Sequence, residues 1–168
     1  MAWSRPPITP LRGARDMRQD RYLALLNAYA RRLPAHADVA RTQEVVIDGR
    51  AISLWCAPAE AEADAEDALL VCRTDVARFP AGLPAAVCRL LLQANNLWAG
   101  THGATLGLRG HDTVMLSAAR RIGSLSAATL DTLLVELHID ACTWAAQLTR
   151  RAAPPAAGAE AGMLHLRA

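Results

Sequence analysis

The sequence predicts one α+β domain in the order α-β-β-β-α-β-β-α, an antiparallel twisted sheet with helices packed on it. Three observations carry that prediction. Apolar residues recur at the spacing of one helical face in three separate stretches. An Asp-Gly pair stands between two strand-like runs, the signature of a tight hairpin. Strands come in consecutive groups with hairpin connections, which favours antiparallel pairing over βαβ crossovers.

The elements follow in order. Residues 1–16 hold three prolines, a glycine and scattered arginines without periodicity, and read as a flexible arm before a domain spanning 17–150. Tyr22, Leu25, Leu26, Tyr29 and Leu33 then share one helical face, and Pro34 stops that helix. Val45 to Ile47 and Ile52 to Cys56 flank Asp48-Gly49, whose two turn positions need positive φ. In the second strand Ile52, Leu54 and Cys56 point to one face, and Ser53 and Trp55 to the other. The acidic run from Glu60 to Asp67 reads as a solvated loop, and Ala68 to Arg73 as the third strand. After Pro84, a residue tolerated in a first helical turn, Leu83, Val87, Leu90, Leu91, Ala94 and Trp98 predict a helix ending near Gly100. Ala104 to Leu108 and Thr113 to Ser117 predict a second hairpin. Ser126 caps the last helix, with Leu125 and Leu130 placed as a hydrophobic staple. From Leu130 to Leu148 a single apolar stripe runs through Leu134, Leu137, Ala141 and Trp144. Residues 151–168 form an Ala/Pro/Gly tail without pattern.

Composition narrows the function. A chain of 168 residues can bury roughly 70% of its unfolded surface, so no staple is required. Aromatic residues make up only 4%, so Leu, Val and Ile must build the core. All 18 basic residues are arginine. They are spread along the chain instead of clustering on one element, which argues against a nucleic-acid face. Cys56, Cys72, Cys88 and Cys142 lack metal-ligand spacing and read as buried or half-buried small hydrophobes in a reducing compartment. No uncharged apolar run is long enough to span a bilayer, and the expectation is a soluble, unexported protein with no membrane insertion.

Each candidate for chemistry has a plainer reading. His102 sits among Gly100, Thr101 and Gly103 without a marked nucleophile or carboxylate, and reads as a connector residue. His138 lies off the main stripe and reads as a half-exposed helical histidine. Glu136 and Asp140 are one turn apart, but nothing completes a metal site. The glycines from Gly100 to Gly110 match no phosphate-loop spacing. The expectation is a protein without enzymatic activity, cofactor or metal.

One stretch has a more specific pattern. Leu91-Leu92-x-Ala94-Asn95, then Gly103-Ala104-x-Leu106-Gly107-Leu108, Val114-x-Leu116, Leu125 and the helix ending Trp144-x-x-x-Leu148 resembles type III secretion chaperones of the Tir chaperone type. The resemblance covers roughly residues 68 to 148. It implies a homodimer in the bacterial cytoplasm that binds the extended N-terminal segment of one or more secreted effectors and keeps them export-competent. The export ATPase is a further implied contact. Family members are typically acidic, and the pI near 8.5 departs from that, much of it owed to the arginines of the arm. An extended client can pair with a strand edge while its alternate side chains enter shallow pockets. Trp55, Leu70 and Cys72 are the candidates for the client-facing side, opposite Ile52, Leu54, Leu69 and Val71. The resemblance points to the second helix and its neighbouring strand for the dimer, with Leu92 and Trp98 as candidates there. Asn95 is assigned a capping or structural role near the helix end. The alternatives are a regulatory or sensory domain of similar fold with no secretion role, and a small enzyme using Cys72 or His102.

Overall fold

The computed structural model describes residues 12–33, 38–57, 68–96 and 101–152, with side chains from Met17 onward. Helix α1 (Arg12–Ala30) buries Tyr22, Leu25, Leu26 and Tyr29, the face that the spacing marked. It begins five residues before the expected boundary at Met17. Its first turns carry no apolar stripe, so periodicity had nothing to register there. The chain leaves α1 through tight turns, with the Leu33 amide donating to the Ala30 carbonyl. Pro34 lies outside the described residues.

A one-turn helix α2 (Val39–Thr42) follows, capped by the Asp38 carboxylate, which accepts from the Arg41 amide. Four residues are too few to show a period, and this element is absent from the sequence reading. Gln43 then adopts a left-handed conformation (φ 53°) that turns the chain into the sheet.

Strand β1 (Glu44–Ile47) and β2 (Arg50–Ala57) form the expected hairpin, with Asp48 and Gly49 at φ 47° and 78°. Strand β3 (Leu69–Arg78) outruns its expected end at Arg73 and carries a bulge between Asp75 and Ala77. Helix α3 (Ala85–Asn95) carries the chain to β4 (Thr105–Arg109) and β5 (Thr113–Arg121). A short 3-10 turn, Ile122–Ser124, leads into helix α4 (Ala127–Ala152). The five strands pair antiparallel in the order β1-β2-β3-β5-β4, which puts β3 at the centre.

Helix α4 lies across one face of that sheet and buries Leu130, Leu133, Leu134, Leu137, Ala141, Trp144 and Leu148. At roughly 1.5–3 kcal/mol for each large side chain removed from water, this stripe is the main apolar anchor of the fold. Its start is fixed as anticipated: the Ser126 hydroxyl accepts from the Thr129 amide, and the Thr129 hydroxyl accepts from the Ser126 amide. Helix α1 is tied to β2 by the Tyr22 hydroxyl, which donates to the Leu54 carbonyl at 2.9 Å. Strand β1 begins only at Glu44, so this carbonyl has no strand opposite it. Burial pushes the Tyr22 phenol up to about 12.

The register corrects one face assignment. Leu54 stands opposite Cys72 and Cys56 opposite Leu70. Directly paired residues share a face, and Leu54, Leu70 and Cys72 are all buried on the helix side. Trp55 instead pairs with Val71, and both belong to the other face together with Leu69. The run Leu69-Leu70-Val71-Cys72 is continuously apolar, so alternation could not phase it, and a one-residue slip inverts every side chain.

Candidate binding surface

The face away from α4 carries an apolar strip at its centre. Trp55 and Val71 are half-buried cross-strand partners, and Ala119 pairs with Val71 from β5. Leu69 is 38% exposed beside them, and Val46 on β1 is 62% exposed. The Arg73 guanidinium lies over the Trp55 indole, 4.9 Å from the ring centroid. That stacking leaves a cation on an apolar platform, suited to a chain with mixed side chains. Of the three residues expected on this side, the structure places Trp55 there. Leu70 and Cys72 are core residues and cannot touch a partner while the domain is folded.

The two edges of the sheet differ. At β4, the Asn95 side chain donates from Nδ2 to the Leu106 carbonyl at 2.8 Å and accepts the Leu106 amide at 2.9 Å. One carboxamide thus completes both outward main-chain groups of that residue, as a neighbouring strand would. Asn95 is therefore an edge-closing residue, not a helix cap. At β1 the two-residue turn makes Ile47 and Arg50 the hydrogen-bonded pair, which aims the main-chain groups of Val46 outward. Among the described residues no backbone hydrogen bond from outside the strand reaches Val46. The Glu44 carbonyl, also outward, takes the Thr42 hydroxyl at 3.3 Å.

On α3, Leu92 is 76% exposed, a large apolar side chain without cover in the monomer. Trp98, its companion candidate, lies outside the described residues.

The histidines have partners that the sequence did not reveal. His102 (φ 49°) places Nδ1 3.1 Å from the Asp140 carboxylate, 38 positions away. The pair rims a cavity of about 410 Å³ floored by Leu133, Leu137, Ala104 and Ala118. This is a staple between the α3–β4 connection and α4. It also accounts for Asp140, whose pairing is with His102 and not with Glu136. His138 is more enclosed than expected, 13% exposed, and faces Asp48 at 3.5 Å. The cysteines divide: Cys72 is buried, Cys56 intermediate, and Cys88 and Cys142 are exposed, against the expectation that all four would be at least half-buried. Burial raises the thiol of Cys72 to about 12. Among the described residues no three His, Cys, Asp or Glu side chains cluster to hold a metal, and no helix is long and apolar enough to cross a membrane.

A model of the Tir chaperone protein (CesT) family matches residues 49–144. The chain belongs to that family. The matched span begins in the β1–β2 turn and runs to Trp144 in α4, so it contains β2 to β5, α3 and most of α4. Two solved structures share the Tir chaperone fold seen here. One, the ExsC-ExsE complex, is 21% identical with a TM-score of 0.59, over 77% of this chain and 95% of that one. The other, the HopA1-SchA chaperone-effector complex, is 21% identical with a TM-score of 0.55, over 78% of this chain and 98% of that one. Comparison with curated protein sequences finds no match.

Proposed function

We propose that this Tir chaperone family member is a type III secretion chaperone. It binds the extended N-terminal segment of one or more effectors and keeps it soluble and export-competent in the bacterial cytoplasm. The observation that carries this reading is the family match over residues 49–144, from β2 to Trp144 of α4. The surface supports it physically. An extended client has main-chain donors and acceptors to satisfy, and the β1 edge at Val46 offers both. The strip of Trp55, Val71 and Leu69 on the open face offers a separate apolar surface for client side chains. Ordering the client costs about 2–5 kcal/mol of the gross interaction, so the complex is held firmly yet remains releasable. Such work needs no turnover, cofactor or metal.

The working form in this proposal is a homodimer. Exposed Leu92 on α3 is the described residue assigned to the interface, with Trp98 beside it in sequence. The export ATPase is a second partner, met when the client is handed over.

Co-expression with secreted proteins of the source cell, followed by affinity capture, limited proteolysis and mass spectrometry, tests the reading. A protected stretch near the N-terminus of a secreted protein is the expected result. Capture of a folded signalling protein with no protected peptide would replace it with a regulatory role.

A further inference from the structure

The open edge of the sheet carries a charge pattern as well as free main-chain groups. Glu44 and Val46 alternate on β1 and share the face away from α4, opposite Ser53 and Ala51 of β2. Both are exposed, and Asp48 follows in the turn with its side chain 87% exposed. Every second residue along this edge is thus acid, apolar, acid. The neighbouring arginines are held elsewhere. Arg41 pairs with Asp38, Arg109 with Asp75, Arg50 donates to the Asp75 carbonyl, and Arg73 lies over Trp55. Among the described residues no arginine forms an ion pair with Glu44 or Asp48. The His138 ring stands 3.5 Å from the Asp48 carboxylate.

These charges discriminate between the strands that an unpaired edge can take. If a second copy added its own β1 antiparallel about Val46, Glu44 of each copy would stand opposite Asp48 of the other. Like charges directly opposite destabilise a strand pair, and here there would be two such contacts. The edge is blunted against self-pairing, as native edges are. The Val46 amide and carbonyl stay free for a strand of different composition. A strand with cations at the same two positions makes both contacts attractive.

We propose that β1 selects its client by charge, taking an extended segment with an apolar residue opposite Val46 and an Arg or Lys two positions to either side. Glu44 and Asp48 are the specificity-determining residues. This selectivity rests on the chaperone reading and adds the chemistry of the client. The segment runs antiparallel to β1, pairs its main chain with the Val46 amide and carbonyl, and lays its central side chain beside Val46. One basic side chain meets Glu44, and the other meets Asp48 in the turn. Exposed ion pairs contribute little singly, so the selectivity comes from two acting in one register and from the repulsion that a misplaced acid meets.

The test uses the full chain and short synthetic extended peptides, identical except at the two positions flanking a central valine, where they carry Arg, Gln or Glu. At low ionic strength the Arg peptide is expected to bind roughly tenfold more tightly than the Glu peptide, with the Gln peptide between them. The preference shrinks as salt is raised, because both contacts are exposed. Glu44→Gln combined with Asp48→Asn levels the three affinities, and asparagine suits the left-handed turn position at 48. Equal affinities of the three peptides for the parent chain overturn the charge rule and leave the edge as a client site. A preference that survives the double substitution overturns it too. Self-association of the double variant with no change in peptide preference assigns the two acids to edge protection alone, and so also overturns the proposal. Binding of none of the peptides removes the client from this edge, whereas the chaperone reading itself is decided by the protected stretch in the capture experiment. The parent comparison decides by itself where the variant fails to fold.

Discussion

One half of this sheet is finished and the other is left open. The α4 face and the β4 edge are sealed from within the chain. Leu70, Cys72 and Leu116 lie under the helix, and a single asparagine satisfies Leu106 where a strand would otherwise be needed. The opposite face and the β1 edge carry Trp55, Val71, Leu69 and Val46 in contact with solvent. An unpaired edge invites association with other chains, and folded domains normally blunt both. Sealing one and sparing the other directs that tendency to one side. The difference teaches where an extended partner has room to add and where it does not.

The strongest way to break this contrast is to truncate matched residues on its two sides. Leu70→Ala should lose about 2–5 kcal/mol of unfolding free energy, the usual range for a buried leucine. Val71→Ala, next in sequence but on the open face, should lose under about 1 kcal/mol. Urea denaturation of the two variants measures both. A reversed order would turn the sheet over and return Leu70 to the partner-facing side.

The edges are compared through Asn95. Replacing it with alanine strips both partners from Leu106 and should cost about 1–3 kcal/mol. It should also create a second open edge, seen as concentration-dependent association in analytical ultracentrifugation. Asn95→Asp keeps the acceptor for the Leu106 amide but loses the donor to its carbonyl, and should fall between the two. A fully stable, monodisperse alanine variant would mean that the β4 edge is closed by something other than this side chain.

What the sequence disclosed follows from where periodicity was present. The α4 stripe, the Asp48-Gly49 hairpin and the Ser126 cap were legible because each is written locally, in spacing or in turn chemistry. The start of α1 and the four-residue α2 were not, since neither offers two turns of apolar pattern. The phase of β3 failed for the opposite reason, an excess of apolar residues. Only its partner strand, with Leu54 opposite Cys72, settles which side is buried. For the surface, Trp55 was legible because Ser53 and Leu54 around it alternate cleanly. Asn95 was visible as a motif position, yet its pairing with Leu106 depends on how the connection folds back. The same holds for His102 with Asp140, which are joined only in three dimensions. A lone histidine or cysteine in a sequence has no way to announce a partner so far along the chain.

The smallest expected change in stability is also the most informative about the open side. Val46 directs its amide away from β2, so Val46→Pro removes a donor that no described residue uses. Proline is tolerated on edge strands for this reason, and the domain should lose no more than about 1 kcal/mol. Val46→Lys keeps the amide and changes only the side chain. If an extended client adds to β1, the proline variant should bind it about tenfold more weakly, the worth of one main-chain hydrogen bond near 1.5 kcal/mol. The lysine variant should lose less, because its amide still donates. Isothermal titration with the protected client peptide reads both. Equal affinities for parent and proline variant would take the client off this edge and leave the Trp55 strip as its seat, whereas a collapse in stability would mean that the Val46 amide points inward, toward β2.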